Sequence, residues 1–220
     1  MKIFIKLFLI IIINICYSSS IYSLLSQNAL YFSFSNYFDS VDVPSADFES
    51  NTETSVLTGF SIGYVISGTY DFSISYINNK SKIYNYHFPM NDRLANVTFK
   101  YNIKNFEKLP FFMQIGFEYN KSIKEIYNST NYMIMIYKEY NFGNYPVIPF
   151  INLSSINCDA SNYMNCKDKF VNSGLNIKLT VDTGDNSLFK DILFISPSIS
   201  TYDFSQYFFG LSMGLYHPFE

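Results

Sequence analysis

The sequence is poor in the residues that most often carry chemistry or contact nucleic acid. Its 220 residues include no tryptophan, two histidines and three cysteines, which leaves few side chains for a zinc site. Charged residues make up 15% of the chain and the net charge is -3, so the basic surface that nucleic-acid binding needs is missing. Beyond the N-terminus, no apolar run approaches the roughly 18 residues of a membrane-spanning helix. These absences exclude nucleic-acid binding and helical membrane spans.

The N-terminus has the composition of an export signal. Lys2 and Lys6 precede the apolar run from Leu7 to Ile15, and the small residues Ser18 and Ser20 follow it. This order predicts a secretory signal peptide over residues 1–20 and one domain over residues 21–220. An uncleaved membrane anchor is the alternative, but the apolar run is short for a span of about 20 residues.

The last stretch of the chain, Tyr207 to Phe219, alternates with a period of two. One face carries Phe209, Leu211, Met213 and Leu215, and the other carries Gly210, Ser212, Gly214 and Tyr216. Side chains alternate across a strand, so this pattern predicts a strand with hydrocarbon on one side and a polar or crowded space on the other.

The same alternation recurs along the chain and predicts about ten strands. A Ser67-Gly68 turn joins two of them into a hairpin. The predicted connections alternate between long and short, as in bacterial membrane barrels with both termini in the periplasm. The remaining nine strands are predicted at Leu30 to Asn36, Thr54 to Ile66, Thr69 to Asn78, Ala95 to Ile103, Phe111 to Tyr119, Tyr132 to Tyr140, Val147 to Ile156, Val171 to Val181 and Ile192 to Thr201. The long connections are Tyr37 to Glu53, Asn79 to Asp92, Asn120 to Asn131 and Asn157 to Lys169.

With these features the chain resembles the small outer-membrane β-barrels of Gram-negative bacteria. The resemblance implies an all-β, antiparallel transmembrane barrel of about ten strands (8–12) in the cell outer membrane, surrounded by lipid and lipopolysaccharide. It also implies a C-terminal signal for the barrel-assembly machinery, carried here by Phe209, Leu211, Met213, Leu215 and Phe219. Pro218 and the terminal Glu220 depart from the family's pattern.

A soluble exported β-barrel or sandwich is the alternative fold, because periodicity does not distinguish inside from outside. The composition of the second face favours the membrane barrel. That face carries the glycines Gly59, Gly63, Gly116, Gly174, Gly210 and Gly214. Small residues suit a tight lumen, whereas a soluble surface normally carries more charge.

Four charged residues fall on the predicted lumen face: Asp71, Lys100, Glu118 and Lys178. Opposite charges in a narrow interior of low dielectric should pair. Barrels of about eight strands are filled by side chains and wide channels need about 16. We therefore expect a plugged barrel or a narrow pore of limited permeability.

Two further groups of residues have a structural and a functional interpretation. Cys158 and Cys166 can form a loop disulfide in an exported protein, or remain free thiols. The acidic side chains of the first long connection can be simply solvated or can bind divalent cations. They are Asp39, Asp42, Asp47, Glu49 and Glu53. Without metal-ligand spacing, no metal site and no cofactor is predicted.

Catalysis is not expected. The ten-stranded omptin proteases, which this strand count resembles, use a His with nearby Asp residues at the outer rim. Here His217 falls at the periplasmic end, and His87 lacks that spacing although Ser81 and Asp92 flank it. The alternative to a structural or pore role is a plugged barrel whose loops act as an adhesin-like binding surface.

Overall fold

A computed structural model describes nine segments of the chain, which carry all the strands discussed below. They are residues 28–44, 50–83, 91–103, 111–123, 127–142, 145–160, 163–181, 191–201 and 207–219. The predicted signal peptide, His87 and Glu220 lie outside these residues. Among the described residues, no helix has the length and apolarity to cross a membrane.

The described residues form eleven strands and every pairing between them is antiparallel. Strand β7, Tyr140–Phe142, is short and pairs only with β8. The others are β1 (Asn28–Pro44), β2 (Ser50–Ile66), β3 (Tyr70–Ile83), β4 (Asn91–Ile103), β5 (Phe112–Ser122), β6 (Tyr127–Tyr137), β8 (Tyr145–Ala160), β9 (Tyr163–Val181), β10 (Asp191–Thr201) and β11 (Tyr207–Phe219).

The ten long strands close into a barrel. Each pairs with the next along the chain, β1 pairs with β11, and a β6–β8 pairing completes the circle past the short β7. Closure leaves none of the ten with an unpaired edge, which satisfies the backbone donors and acceptors within the sheet. The predicted ten-stranded antiparallel barrel is confirmed.

The strand register sets the tilt of the barrel. Following the paired residues around the circle from Val181 on β9, through Asp191 and Leu30, leads back to β9 at Lys169. The register therefore shifts by 12 residues, the difference between positions 181 and 169. With about 3.3 Å per residue and about 4.8 Å between ten strands, this shift corresponds to a tilt of about 40°. Membrane barrels have tilts in this range.

Side chains alternate between the outside and the inside of the barrel, with apolar residues outside and mostly polar residues inside, as expected for a barrel in a membrane. The outside is apolar: Phe32, Ile62, Ile74, Val97, Ile134 and Leu153 are each 41–67% exposed. The inside is mostly polar and holds Ser33, Ser61, Asn96, Gln114, Asn131 and Asn152, each at most 4% exposed. A soluble barrel would carry the opposite arrangement, with its apolar face turned to the core.

The Ser67-Gly68 turn is confirmed and shows the backbone that its residues predict. Ser67 and Gly68 both have positive φ, 49° and 59°, and the Thr69 N–H donates to the Ile66 carbonyl at 2.8 Å. Positive φ at both central residues is the type I′ geometry that matches the twist of a hairpin.

The long connections are where the prediction is wrong. Most of Tyr37 to Glu53, Asn120 to Asn131 and Asn157 to Lys169 is paired strand, as β1 continues to Pro44 and β9 begins at Tyr163. A hairpin beyond the apolar band keeps its backbone hydrogen bonds although its side chains no longer form a continuous apolar face. Hydrophobic periodicity therefore does not detect it. β6 also lies earlier than predicted, over Tyr127–Tyr137, and Tyr140 belongs to β7.

Candidate functional site

Three of the four predicted lumen charges form a cluster on adjacent strands. Asp71 on β3 is paired with Lys100 on β4. Lys100 is paired with Gly116 on β5, so Glu118, two residues further along, is its diagonal neighbour. All three side chains are at most 2% exposed, and the Lys100 ammonium interacts electrostatically with both carboxylates. The register places one buried cation between two buried anions.

Polar side chains around this cluster satisfy the carboxylates. The Tyr31 hydroxyl donates to Asp71 Oδ1 at 2.9 Å, and Asn120 Nδ2 donates to Glu118 Oε1 at 2.8 Å. Asn96 Nδ2 in turn donates to Asn120 Oδ1 at 2.7 Å. These bonds offset part of the cost of removing the charges from water and hold the carboxylates in place.

Lys178, the fourth predicted charge, is not part of that cluster. It lies inside the barrel on β9, and its Nζ is 3.8 Å from Glu139 Oε2. Glu139 follows β6 near the end where β1 begins and β11 ends, here called the terminal end. The predicted pairing of lumen charges thus involves two separate groups, because β9 stands across the lumen from β3 and β4.

The terminal half of the lumen is filled by two groups of large side chains that the sequence analysis missed. The first, the β1 cluster, consists of Ala29, Tyr31, Val65, Phe194 and Tyr216, with Ile192 packed against it. The second, the β8 cluster, consists of Met135, Tyr137, Ile148 and Phe150. Together they occupy opposite walls of the barrel at the same end.

Three of the five aromatic side chains in these clusters are each accommodated by a glycine on the neighbouring strand. Tyr31 is paired with Gly63, Phe194 with Gly214 and Phe150 with Gly174. A Cβ on Gly63 or Gly214 would overlap the ring of its partner, and one on Gly174 would lie 3.0 Å from Phe150 Cζ. The sequence signal was available: inward positions that alternate between glycine and a large aromatic on adjacent strands.

The far half of the lumen, opposite the terminal end, is lined mostly by small polar side chains. The buried apolar exceptions among the described residues are Ile77, Leu94 and Phe170. Asn152 on β8 faces Asn172 on β9, and Asn172 faces Ser200 on β10. Both polar side-chain atoms of Asn131 and the Oδ1 atom of Asn152 are buried without a protein partner. Buried polar groups of this kind are satisfied by ordered water in folded proteins. The two halves of the lumen therefore differ in polarity.

The remaining predicted residues fall at the ends or on the outside of the barrel. Cys158 and Cys166 are paired across β8 and β9, and not within a loop as expected. On β11, Phe209, Leu211, Met213 and Leu215 face outward, each 37–46% exposed. Phe219 packs beside Tyr64 with ring centroids 5.7 Å apart. A disulfide and an assembly signal stay predictions, and β11 has the geometry that the signal requires.

The described side chains include a His–Asp contact but no metal-binding cluster. No three His, Cys, Asp or Glu side chains in these segments are grouped to hold a metal ion. His217 Nδ1 lies 2.6 Å from Asp191 Oδ1 at the terminal end. The predicted absence of activity is not tested by this geometry.

The outward apolar face, the polar interior, the closed register and the tilt of about 40° agree with one architecture. The chain is an antiparallel transmembrane β-barrel. No protein-family model matches its sequence, and no curated protein matches it.

Several solved structures are similar to this chain at low sequence identity. The β domain of the Bordetella autotransporter BrkA is 9% identical, with a TM-score of 0.42, and the match covers 88% of this chain and all of that one. The outer-membrane protease OmpT from Escherichia coli is 9% identical, with a TM-score of 0.38 over 88% and 95% of the two chains. Neisserial surface protein A is 11% identical, with a TM-score of 0.33 over 86% and 97%. These likenesses give no residue of this chain a role.

Proposed function

We propose that this protein is a structural barrel of the bacterial outer membrane whose lumen is closed or passes only the smallest solutes. The observation that carries the proposal is the filling of the terminal half of the lumen by the β1 and β8 clusters. In the proposed orientation in the outer membrane, the terminal end of the barrel faces the periplasm and the far end faces the outside of the cell.

The lipid-facing surface supports the membrane part of the proposal. Among the described residues, large exposed apolar side chains lie on the outside of eight of the ten long strands, all but β9 and β10; Phe34 and Phe60, for example, are 41% and 48% exposed. At about 25 cal/mol per Å², leaving so much apolar surface in water would be strongly unfavourable. A bilayer removes that cost, and a closed barrel leaves no backbone group unsatisfied in it.

The filled lumen supports the limited permeability. Tyr31, Phe150, Phe194 and Tyr216 are each at most 5% exposed, so water does not reach them freely from either side. The cluster of Asp71, Lys100 and Glu118 adds fixed charges beside them. An ion that passes this half would need to displace aromatic rings and break charge pairs.

Planar-bilayer conductance tests the closed lumen. We expect the wild-type protein to show no discrete openings above those of a bilayer control. The double variant Phe150→Ala, Phe194→Ala removes one ring from each cluster and should show openings. The matched control is Phe34→Ala, Phe60→Ala, which makes the same chemical change on the lipid-facing side and should remain silent.

Two results would contradict the proposal. Wild-type openings as large as those of the lumen double variant would make the protein an open pore. Recovery of the mature chain in the soluble periplasmic fraction, with no heat-modifiable gel mobility, would exclude the outer membrane as its location.

A surface-binding protein is the second candidate, and strand length favours it. β1, β2 and β9 have 17, 17 and 19 residues, whereas about 9–11 tilted residues cross the hydrocarbon core. The additional paired residues project at the far end as hairpins, β1–β2 and β8–β9. Replacing residues 45–49 and 161–162 with Gly-Ser linkers should abolish adhesion to host cells if these hairpins bind a partner, while leaving conductance unchanged.

A further inference from the structure

The lipid-facing surface of β5, β6 and β8 contains a groove of about 570 Å³. Its walls are apolar and include Phe117, Tyr132, Ile134 and Leu153. Ser155 on β8 lies among these large residues and is paired with Tyr132 on β6. Because its side chain is small, it leaves the space that forms the groove. The groove has the shape and polarity for one hydrocarbon chain.

A lysine stands at the edge of this groove. Lys169, exposed on the outside of β9, lines it and is paired with Ser155. Ser155 is in turn paired with Tyr132 on β6, and Tyr132 with Phe117 on β5, so these four residues form one row across the sheet. In a barrel tilted by about 40°, such a row rises by about 3 Å per strand, so Lys169 stands about 9 Å above Phe117, nearer the far end.

Two other cations lie at the same height. Lys121 is exposed on β5, four residues beyond Phe117, which places it about 10 Å above that residue. Arg93 on β4 is beside it, because the Arg93 carbonyl accepts from the Ile123 N–H at 2.8 Å. Among the outward side chains that the structure describes at this height, no acid interrupts this arc of three cations.

The width of the arc distinguishes between lipid headgroups. Arg93 and Lys169 are separated by four strand intervals, from β4 through β5, β6 and β8 to β9. At this tilt the separation around the barrel is about 25 Å. A headgroup with a single phosphate can contact the cations at one end of this arc. A headgroup with two phosphates on a sugar backbone can contact the cations at both ends.

We propose that the groove and the arc of Arg93, Lys121 and Lys169 bind one bis-phosphorylated glycolipid of the outer leaflet. One acyl chain occupies the groove beside Ser155, and the two phosphates contact the cations above it. The site rests on the proposed location, because the far end must face the leaflet that contains such a lipid.

Native mass spectrometry of the full-length protein in a neutral detergent tests the site. The probes are bis-phosphoryl lipid A, its monophosphoryl form and phosphatidylglycerol. We expect one bound copy of the bis-phosphoryl form and weaker retention of the other two. A cation near anionic headgroups contributes about fivefold in affinity, so Lys121→Gln with Lys169→Gln should weaken retention by about 25-fold.

Two variants separate the phosphate contacts from the groove. Ser155→Phe fills the groove without changing charge and should weaken the bis- and monophosphoryl forms by the same factor. Lys138→Gln removes a lysine at the terminal end, where it lies 5.3 Å from the Tyr140 ring centroid, and should leave retention unchanged. Heat-modifiable mobility verifies that each variant is folded.

Equal retention of phosphatidylglycerol and the bis-phosphoryl lipid would overturn the proposal, as would equal retention by the wild-type protein and the Lys121, Lys169 double variant. Failure of the lipid site can be distinguished from failure of the proposed function. A protein that fractionates with the outer membrane but binds no lipid A contradicts this site alone.

Discussion

Lys100 is a buried cation whose charge depends on two buried carboxylates. Its ammonium lies between the buried carboxylates of Asp71 and Glu118. Replacing it with methionine leaves two anions without their cation, which costs about 3 kcal/mol of unfolding free energy for a buried pair. We expect Lys100→Met to show that loss in urea unfolding of the protein folded into lipid vesicles.

Lys178→Met is the matched control for Lys100→Met. Its partner Glu139 has a side chain that is 37% exposed, so water can solvate the carboxylate that remains and the loss should be smaller. The triple variant Asp71→Asn, Lys100→Met, Glu118→Gln removes all three charges and should recover most of the stability. Equal unfolding free energies for the two single variants would show that the cluster does not depend on charge pairing.

Gly63 is a glycine whose replacement should be costly. A Cβ there would overlap the Tyr31 ring, and Tyr31 is itself 1% exposed and bonded to Asp71. We expect Gly63→Ala to lower the unfolding free energy by about 1–3 kcal/mol, the usual cost of overpacking.

Gly59→Ala on the same strand is the control, because the nearest atom to its added Cβ is the Ser35 hydroxyl at 2.7 Å, and a serine rotamer can turn away. The Gly63→Ala loss should also shrink when Tyr31→Ala is added. Losses that are equal at positions 59 and 63, or that Tyr31→Ala does not reduce, would contradict the close approach.

At the scale of the element, the β8–β9 hairpin is the region where cysteine chemistry is expected. Directly paired residues on antiparallel strands have Cα atoms about 4.5–5.5 Å apart, within the range that a disulfide spans. Cys158 and Cys166 are paired in this way. We expect envelope-purified protein to show both cysteines blocked to alkylation until a reductant is added, by mass spectrometry.

Cys158→Ser provides the matched control for that measurement. If the disulfide forms, the variant should leave Cys166 free to react without reduction. Full alkylation of both cysteines in the unreduced wild-type protein would show that they are free thiols.

The elements also differ in how well the sequence predicted them. β2, β3 and β4 were predicted closely, because each alternates Phe, Tyr, Ile or Val with Ser, Gly or Thr across a lipid boundary. The far ends of β1 and β9 were assigned to loops, since the apolar residues there are too few and too interrupted by polar ones to show a clear period. The pairing that extends them is a property of two strands together.

At the scale of the whole molecule, the 12-residue register shift has a measurable consequence. It corresponds to a strand tilt of about 40° from the membrane normal, which polarised infrared spectroscopy of oriented bilayers measures directly. A tilt near 20° would contradict the register. Heat-denatured protein on the same support is the control and should show no preferred orientation.

The sequence by itself determined that this protein is built of about ten alternating β-strands, and it favoured a lipid-facing apolar exterior. Alternation with period two, a low charge content and glycines on the polar face are local properties, and each is readable one strand at a time. The inward direction of Asp71, Lys100 and Glu118 was readable in the same way.

Only the tertiary structure decided which inward side chains meet. Whether Asp71 pairs with Lys100 or Lys178, whether Tyr31 has room beside Gly63, and whether Lys121 and Lys169 share one height all depend on register. Register is set by pairing between strands that are distant in sequence and by closure of the whole circle. A shift of two residues between two strands would preserve every alternation and change every one of these contacts.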